Sequence, residues 1–489
     1  MARYEDNSSA QGIFISLNLE QQFSEGSRER ILKQYIADKI DTSVFDSAYN
    51  NDTFGRKVKN PRDVIAAILY GYMTGNRSSR SIEQLLHQHV GFMYVSNCLS
   101  IDHSVICEFK TRFTDQIQDV FSTMLFVLNE MGAIDWDIVG GDGTKIKAYA
   151  SKGRTIGKEK TQKLLKSYRA MAQKVVQRDL DIESRRESGE IDEKMYHAEK
   201  ARTVRLKRTY DSVLSKIDEC TKSENEELRQ RLKTKYVNLT DPDSNVMPGS
   251  CRRHFIQGYN AAMMVSNNDV VLDYKPIVDA EKNHTSDMVH RVEQLKSRLN
   301  AKQKSKYLFD TGFQDIEKIL GLQDEGLDLY VATKERDFTD KSQKRRNFTI
   351  VSTPVGPELK CKGERMGKPS RMESKEKVFF YFHKRDCAPC SFYDECYGKV
   401  KNRNGQKTVI FSFFELTNRP RIDAYLNKMR SSEGKMVYNR RIGKEHVFSN
   451  IKTQRDFLET YYRGKTKVNM DICWAALAQN MQKYIICKQ

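Results

Sequence analysis

No proline occurs between Pro61 and Pro242. A run that long without the residue that fixes φ and removes a backbone donor leaves the chain free to build extended helices. Residues 152–235 are dominated by Lys, Arg, Glu and Leu. Leu164, Leu165, Tyr168 and Met171 keep helical spacing there, as do Val204, Leu206, Tyr210, Val213 and Leu214. This predicts two or more long helices, folded as an antiparallel hairpin. The constraint comes from what the helices interrupt. Before them, in DWDIVGGDGTKIKAYAS, Ile138 and Val139 begin an apolar run, and Thr144, Ile146 and Ala148 alternate with Lys145 and Lys147. That is a strand. After them, 257–266 and 270–278 read as two more, joined by the hairpin residues Asn267, Asn268 and Asp269. One sheet must therefore close across a helical insert at 152–240.

The other elements follow in order. Residues 1–27 are a polar lead-in around a strand-like patch at 12–17. Residues 28–134 read as an all-helical domain. Pro61 opens one helix, with Val64, Ile65, Ile68, Leu69 and Tyr72 as its apolar face. Ser79 or Ser81 caps the next, and Asp102 or Ser104 caps a short helix bearing Lys110 and Arg112. Past the hairpin come a helix at 286–299, a strand in KYLFDTGFQD that Asp310 ends, and a strand at 329–333. The sheet-forming core thus covers 135–335 and 426–489, with a second insert at 336–425. Residues 470–484 predict an amphipathic helix lying on the sheet.

The formal net charge is +18. A surplus of that size calls for a polyanionic partner. With a basic last helix, 28–134 then reads either as a helix-turn-helix-like DNA reader or as a plain helical bundle. The helical insert serves DNA contact, dimerisation or only a solvated arm. The start, MARYEDNSSA, is unlike a signal peptide, and the apolar stretch 64–73 is too short to span a bilayer. A cytoplasmic, nucleoid-associated bacterial protein with reduced thiols is expected.

Cys361 is followed by Cys387, Cys390 and Cys396 in a C-x2-C-x5-C arrangement. Four thiolates complete a zinc tetrahedron, and a C-x2-C pair grips the ion from one turn. His383 competes for the fourth position, and free structural thiols are the alternative. Cys98, Cys107, Cys473 and Cys487 sit in apolar helical contexts and are expected in the core.

In YNRRIGKEHVFSNIK, Tyr438, Arg441, Glu445 and Lys452 stand at offsets of 0, 3, 7 and 14. On one helix those positions fall within an arc of roughly 60° and a length of about 21 Å. A single acid among cations suits a carboxylate that holds a metal ion while its neighbours hold phosphodiesters. A solvated basic helix face is the plainer reading. Asp142, between Gly141 and Gly143, lies within the first strand, where glycines admit a close neighbour. Asp315, Asp324 and Asp328 are weaker candidates than Asp310, since none closes a strand.

Tyr-x2-Arg-x3-Glu-x6-Lys resembles the motif around the last catalytic acid of DDE transposases of bacterial insertion sequences. Asp142-Gly-Thr-Lys resembles the sequence around their first catalytic Asp, Gly258-Tyr259-Asn260 a recurrent motif after it, and Asp310 the setting of the second. The resemblance implies an α/β fold: a ribonuclease-H-like mixed sheet flanked by helices, behind an N-terminal all-α domain. It also implies a catalytic set of Asp142, Asp310 and Glu445 holding two Mg²⁺ or Mn²⁺ ions. Hard carboxylate oxygens suit those ions, and a pair of them supports in-line displacement at phosphorus. Tyr438, Arg441 and Lys452 would then hold DNA by stacking or phosphate contact. The partners implied are double-stranded terminal repeats and target DNA, with the protein a homodimer or higher oligomer on them. The activity implied is cleavage of the ends and transfer of their 3′-OH strands. The alternatives are a non-catalytic, zinc-containing repressor derived from a transposase, and a structure-specific nuclease on the same fold.

Overall fold

The computed structural model describes residues 18–46, 48–49, 58–156, 158–222, 237–238, 240–249, 255–333, 348–353, 356–369, 377–393, 396, 399–400 and 407–489. The strand-like patch at 12–17 lies outside them. The chain divides into two units: Met1–Ala133, Lys145–Tyr259 and Ser449–Gln489 form the first, and Ile134–Thr144 with Asn260–Phe448 the second.

The first unit is helical at its centre. Ser27 caps α1 (Arg28–Lys39), and Asn60 caps α2 (Pro61–Met73), whose side chains are buried from Val64 to Tyr72. Then come α3 (Ser79–Gln88), α4 (Val90–Val95), α5 (His103–Arg112) and α6 (Thr114–Glu130). Asp102 caps α5, accepting from the Ser104 N–H. The cap position of α3 is Ser78, not Ser79 or Ser81, and its hydroxyl makes no capping bond. The insert is the expected pair of long helices, α7 (Lys158–Glu187) and α8 (Glu193–Lys222), packed on each other.

The last helix, α14 (Lys465–Lys488), differs from expectation. It packs against α6, α2 and α1 and is buried almost all round from Val468 to Met481. Its sequence carries apolar residues on every face of that stretch, and such a helix belongs inside a bundle, not on a sheet. Cys473 is buried there, whereas Cys98, Cys107 and Cys487 are exposed, against the core placement expected of them. Cys98 lies in the turn after α4 and Cys487 in the last turn of α14, while Cys107 lies on the exposed face of α5, 3.0 Å from the Ser79 hydroxyl.

The main sheet carries β1 (Ile138–Lys147), β2 (Asn245–Pro248), β3 (Phe255–Ser266), β4 (Val271–Ile277), β5 (Lys306–Phe309) and β6 (Asp328–Val331). Its order is β2-β3-β1-β5-β6, with β4 also paired to β3. β3 and β4 are antiparallel, turning through Asp269 at φ 73°, while β1, β5 and β6 run parallel. Helices α9 (Thr285–Arg298) and α10 (Ile316–Asp324) link β4 to β5 and β5 to β6. A mixed α/β sheet in this order is compatible with the ribonuclease-H-like expectation.

The second insert holds a sheet that the sequence did not announce. Strands β7 (Phe348–Thr353), β8 (Gly356–Cys361), β9 (Met366–Pro369), β10 (Lys377–Phe382), β11 (Lys399–Val400) and β12 (Lys407–Ser412) pair in the order β11-β12-β10-β9-β8-β7. Its core is Phe348, Leu359, Val378, Phe380, Phe382, Val409, Phe411 and Leu416, and α11 (Arg419–Arg430) follows it.

Candidate active site

In the second unit, β1 and β5 pair in parallel with Gly141 opposite Phe309. Asp142 and Asp310 follow one residue on, so the register sets two acids side by side where β5 ends. The glycines flanking Asp142 are there for space. A Cβ on Gly141 would overlap the Phe309 ring, and one on Gly143 would overlap the Asn260 amide. Asp315 is committed to capping α10, while Asp324 pairs with Arg421 and Asp328 with Lys428.

The third acid arrives on a broken helix. The single helix expected over 438–452 is instead α12 (Ser432–Asn439), a 3-10 turn (Ile442–Lys444), α13 (Glu445–Ser449) and a π-helical turn (Asn450–Gln454). Gly443 lies at the break. Lys444 is buried and reaches the Asn267 carbonyl and Asp269, and His446 meets Asp269 at 3.0 Å. Arg440 pairs with Asp137 at 2.9 Å. These contacts anchor the segment to the β3–β4 turn and to the start of β1.

Arg441 joins the acids. It lies 2.9 Å from Glu445 and 3.4 Å from Asp142. Burial pushes the Asp142 carboxyl up to about 6; the charges of Asp310 and Glu281 add to this, while the Gly143 N–H and Arg441 oppose it. Tyr438 is half-buried against Ile138, Leu308 and Tyr330, and its ring centre is 5.8 Å from the Arg441 guanidinium carbon. Burial raises the Tyr438 phenol, as do the charges of Asp310 and Asp142. The structure thus brings Asp142, Asp310, Tyr438, Arg441 and Glu445 together. Lys452 falls on the π turn, in the residues of the first unit.

Among the described residues, the one set of three or more metal-ligating atoms mutually within 4.8 Å is Glu83, Asp102 and His103. The three acids and the four thiols therefore stand more loosely. Carboxylates without a counter-ion repel one another, so an open arrangement is the electrostatic expectation. Cys361, Cys387, Cys390 and Cys396 all line one cavity of about 30 Å³, along with Phe348, Phe382 and Asp386. His383 does not line it and is exposed. Lys110, expected on a DNA-facing helix surface, is instead fully buried and donates to the Arg77 carbonyl.

Two side chains at the site escaped the sequence reading of chemistry. Asn260 stands in the sequence only as part of Gly258-Tyr259-Asn260, and Glu281 carries no local signal. Glu281 lies on the turn Glu281–Asn283 after β4, an element that reaches the site only through the fold's topology.

Asp142 within β1 and Asp310 just past the end of the parallel β5 thus lie beside an arginine that pairs Asp142 with the helical acid Glu445. Residues 358–485 match the family model described as Transposase DDE domain, and residues 17–112 match that described as Transposase domain (DUF772). Together these two matches support a DDE transposase of an insertion sequence. The first match spans Tyr438, Arg441, Glu445, Lys452 and the four cysteines, and begins after Asp142 and Asp310. No curated protein and no solved structure matches the chain. No helix among the described residues is long and apolar enough to cross a membrane.

Proposed function

We propose that the protein cleaves the ends of its insertion sequence and joins the freed 3′-OH strands to target DNA, with Asp142, Asp310 and Glu445 as ligands of two divalent cations. The observation that carries this is the Arg441 bridge between Asp142 and Glu445, with Asp310 on the neighbouring strand end. The donors are all hard oxygens with open positions, which fit Mg²⁺ or Mn²⁺. Bound there, such ions would activate a water or a 3′-OH and stabilise the leaving oxygen. Arg441 holds the acid pair in register before a cation arrives. It is then free to turn a bidentate guanidinium toward a phosphodiester. Tyr438, partly packed in the core, offers its remaining ring edge to a base or sugar, and Lys452 a point charge to phosphate.

The helical domain at 28–134 would bind the terminal repeats, with Arg112 rather than Lys110 among its exposed cations, and the protein would act as an oligomer on DNA. The insert sheet would carry one structural Zn²⁺ among Cys361, Cys387, Cys390 and Cys396, a set whose soft ligands and shared cavity suit zinc. Elemental analysis of protein purified without added metal should find about one zinc per chain; a content near zero assigns the four thiols to packing.

The test of the reaction uses DNA carrying the inverted repeats that flank the gene. With Mg²⁺ the protein should nick at the repeat boundary and join the 3′ ends to a target plasmid, and with EDTA it should do neither. Binding of the repeats without cutting under any divalent cation would leave a DNA-binding protein. Cutting without joining would leave a nuclease.

A further inference from the structure

Glu281 lies on a short turn after β4, and that turn packs against the turn Thr311–Phe313 that follows Asp310. One oxygen of its carboxylate lies over Gly312, so closely that a Cβ there would overlap it. The other accepts from the Asn260 side-chain nitrogen at 2.6 Å. Asn260 is 5% exposed and presses on Gly143, the residue beside Asp142. Its amide oxygen is buried and has no hydrogen-bond partner among the described residues. Leaving such an oxygen unmatched is unfavourable, so its position needs a reason. A chain of contacts thus runs from Asp142 through Gly143, Asn260 and Glu281 to Gly312 and Asp310. Glu281 is a half-buried acid held between the two backbones that carry Asp142 and Asp310.

We propose that Glu281 is a fourth carboxylate of the divalent-cation site and that Asn260 is its positioning residue; this rests on the reading of Asp142, Asp310 and Glu445 as metal ligands. Packing a further acid against two others is electrostatically unfavourable in a metal-free fold. A divalent cation between them reverses the sign. The Asn260 nitrogen fixes the carboxylate's orientation, as partners behind a ligand commonly do. Its unpaired oxygen faces the Asp142 strand, where a cation-bound water would satisfy it.

The experiment compares full-length wild type with Glu281→Gln, Glu281→Asp and Asp142→Asn. Mn²⁺ affinity is measured by calorimetry without DNA, and the Mg²⁺ dependence of end cleavage is measured alongside. Glu281→Gln should raise the cation concentration for half-maximal cleavage at least about tenfold. Its melting temperature should hold, and excess Mn²⁺ should recover part of the rate. Glu281→Asp should fall between. A purely structural Glu281 would leave the cation dependence unmoved. Wild-type Mn²⁺ affinity and Mg²⁺ dependence in Glu281→Gln, or in Glu281→Asp if the Gln variant does not fold, overturns the proposal. Asp142→Asn separates the two levels. If it loses Mn²⁺ binding while Glu281→Gln does not, only the fourth ligand is wrong. If Asp142→Asn itself binds Mn²⁺ like wild type, the underlying metal site is wrong as well.

Discussion

The same three side-chain types, an aspartate, an arginine and a tyrosine, are assembled twice in this protein. In the first unit Asp471 is fully buried. It accepts from the Tyr72 hydroxyl, from the Thr460 hydroxyl at 2.8 Å and from Arg77 at 3.4 Å. Arg77 spends its other donors on the Asp456 and Glu459 carbonyls. In the second unit Asp142 has a side chain 28% exposed, with one donor at 2.7 Å from Gly143 and Arg441 at 3.4 Å. The Arg441 Nε is buried without a hydrogen-bond partner among the described residues, and the Glu445 side chain is 55% exposed. The first cluster is closed by its own chain and acts as a structural lock. The second leaves bonding capacity open toward solvent, as a site that must admit a cation and a phosphate requires. Composition does not separate them; satisfaction does.

The comparison breaks most visibly under substitution of the two aspartates. Asp142→Asn should lower end cleavage at least about 10³-fold, roughly 4 kcal/mol of barrier, while leaving the fold intact. Asp310→Asn should be as damaging, and the double variant no worse, because the ligands act as one unit. Asp471→Asn should do the reverse, losing about 3–5 kcal/mol of stability by stranding Arg77 in the interior. Paired urea unfolding and cleavage assays check both. Loss of stability in Asp142→Asn to the same degree as in Asp471→Asn would erase the distinction.

A smaller effect is expected with pH. The Asp142 carboxyl is raised from 3.8 to about 6 by burial. A folded value above the unfolded one means that the metal-free native state holds the extra proton in that window. Its contribution is full below pH 4 and lost as pH rises through 6. The upper bound is about 3 kcal/mol, and the partial exposure of the side chain reduces it to roughly 1–2. Urea unfolding in EDTA at pH 5 and pH 7 should register the difference, and Asp142→Asn should flatten it.

The smallest effects belong to the DNA contacts. Arg441→Ala should weaken binding to end DNA and lower the salt slope by about one, with Lys452→Ala similar in slope and milder in affinity. Tyr438→Phe should be milder than Tyr438→Ala, which also opens the packing around Tyr330. Affinity against salt for these variants tests them. Unchanged slopes would remove Arg441 and Lys452 from DNA binding.

How legible all this was depended on the range of the interaction. Strand periodicity located β1 and the β3–β4 hairpin, and the proline-free run located α7 and α8, because each signal lies within one element. The places of Lys110 and α14 depart from the sequence pattern because burial is decided by partners far away in sequence. Lys110 reaches the Arg77 carbonyl, and α14 is enclosed by α2 and α6. Spacing over 438–452 predicts one continuous helix because it does not register the tertiary pulls on Arg440, Lys444 and His446. The signal of the insert sheet lies in the β-branched and aromatic runs FTIVST, KVFFYF and KTVIFS, each set apart from the next by stretches rich in charge. Glu281 had no local signal, since only the crossing of β4 and β5 turns brings it beside Asp310.

The most direct measurement of the central claim is a paired one on Glu445→Gln, which removes the charge and keeps the helix. On the same end-DNA substrate, binding in Ca²⁺ and cleavage in Mg²⁺ are measured for wild type and variant. The account predicts affinity within about threefold of wild type and no detectable strand cleavage in Mg²⁺. Cleavage by Glu445→Gln at the wild-type rate would contradict it and remove the Arg441-bridged acids from the chemistry.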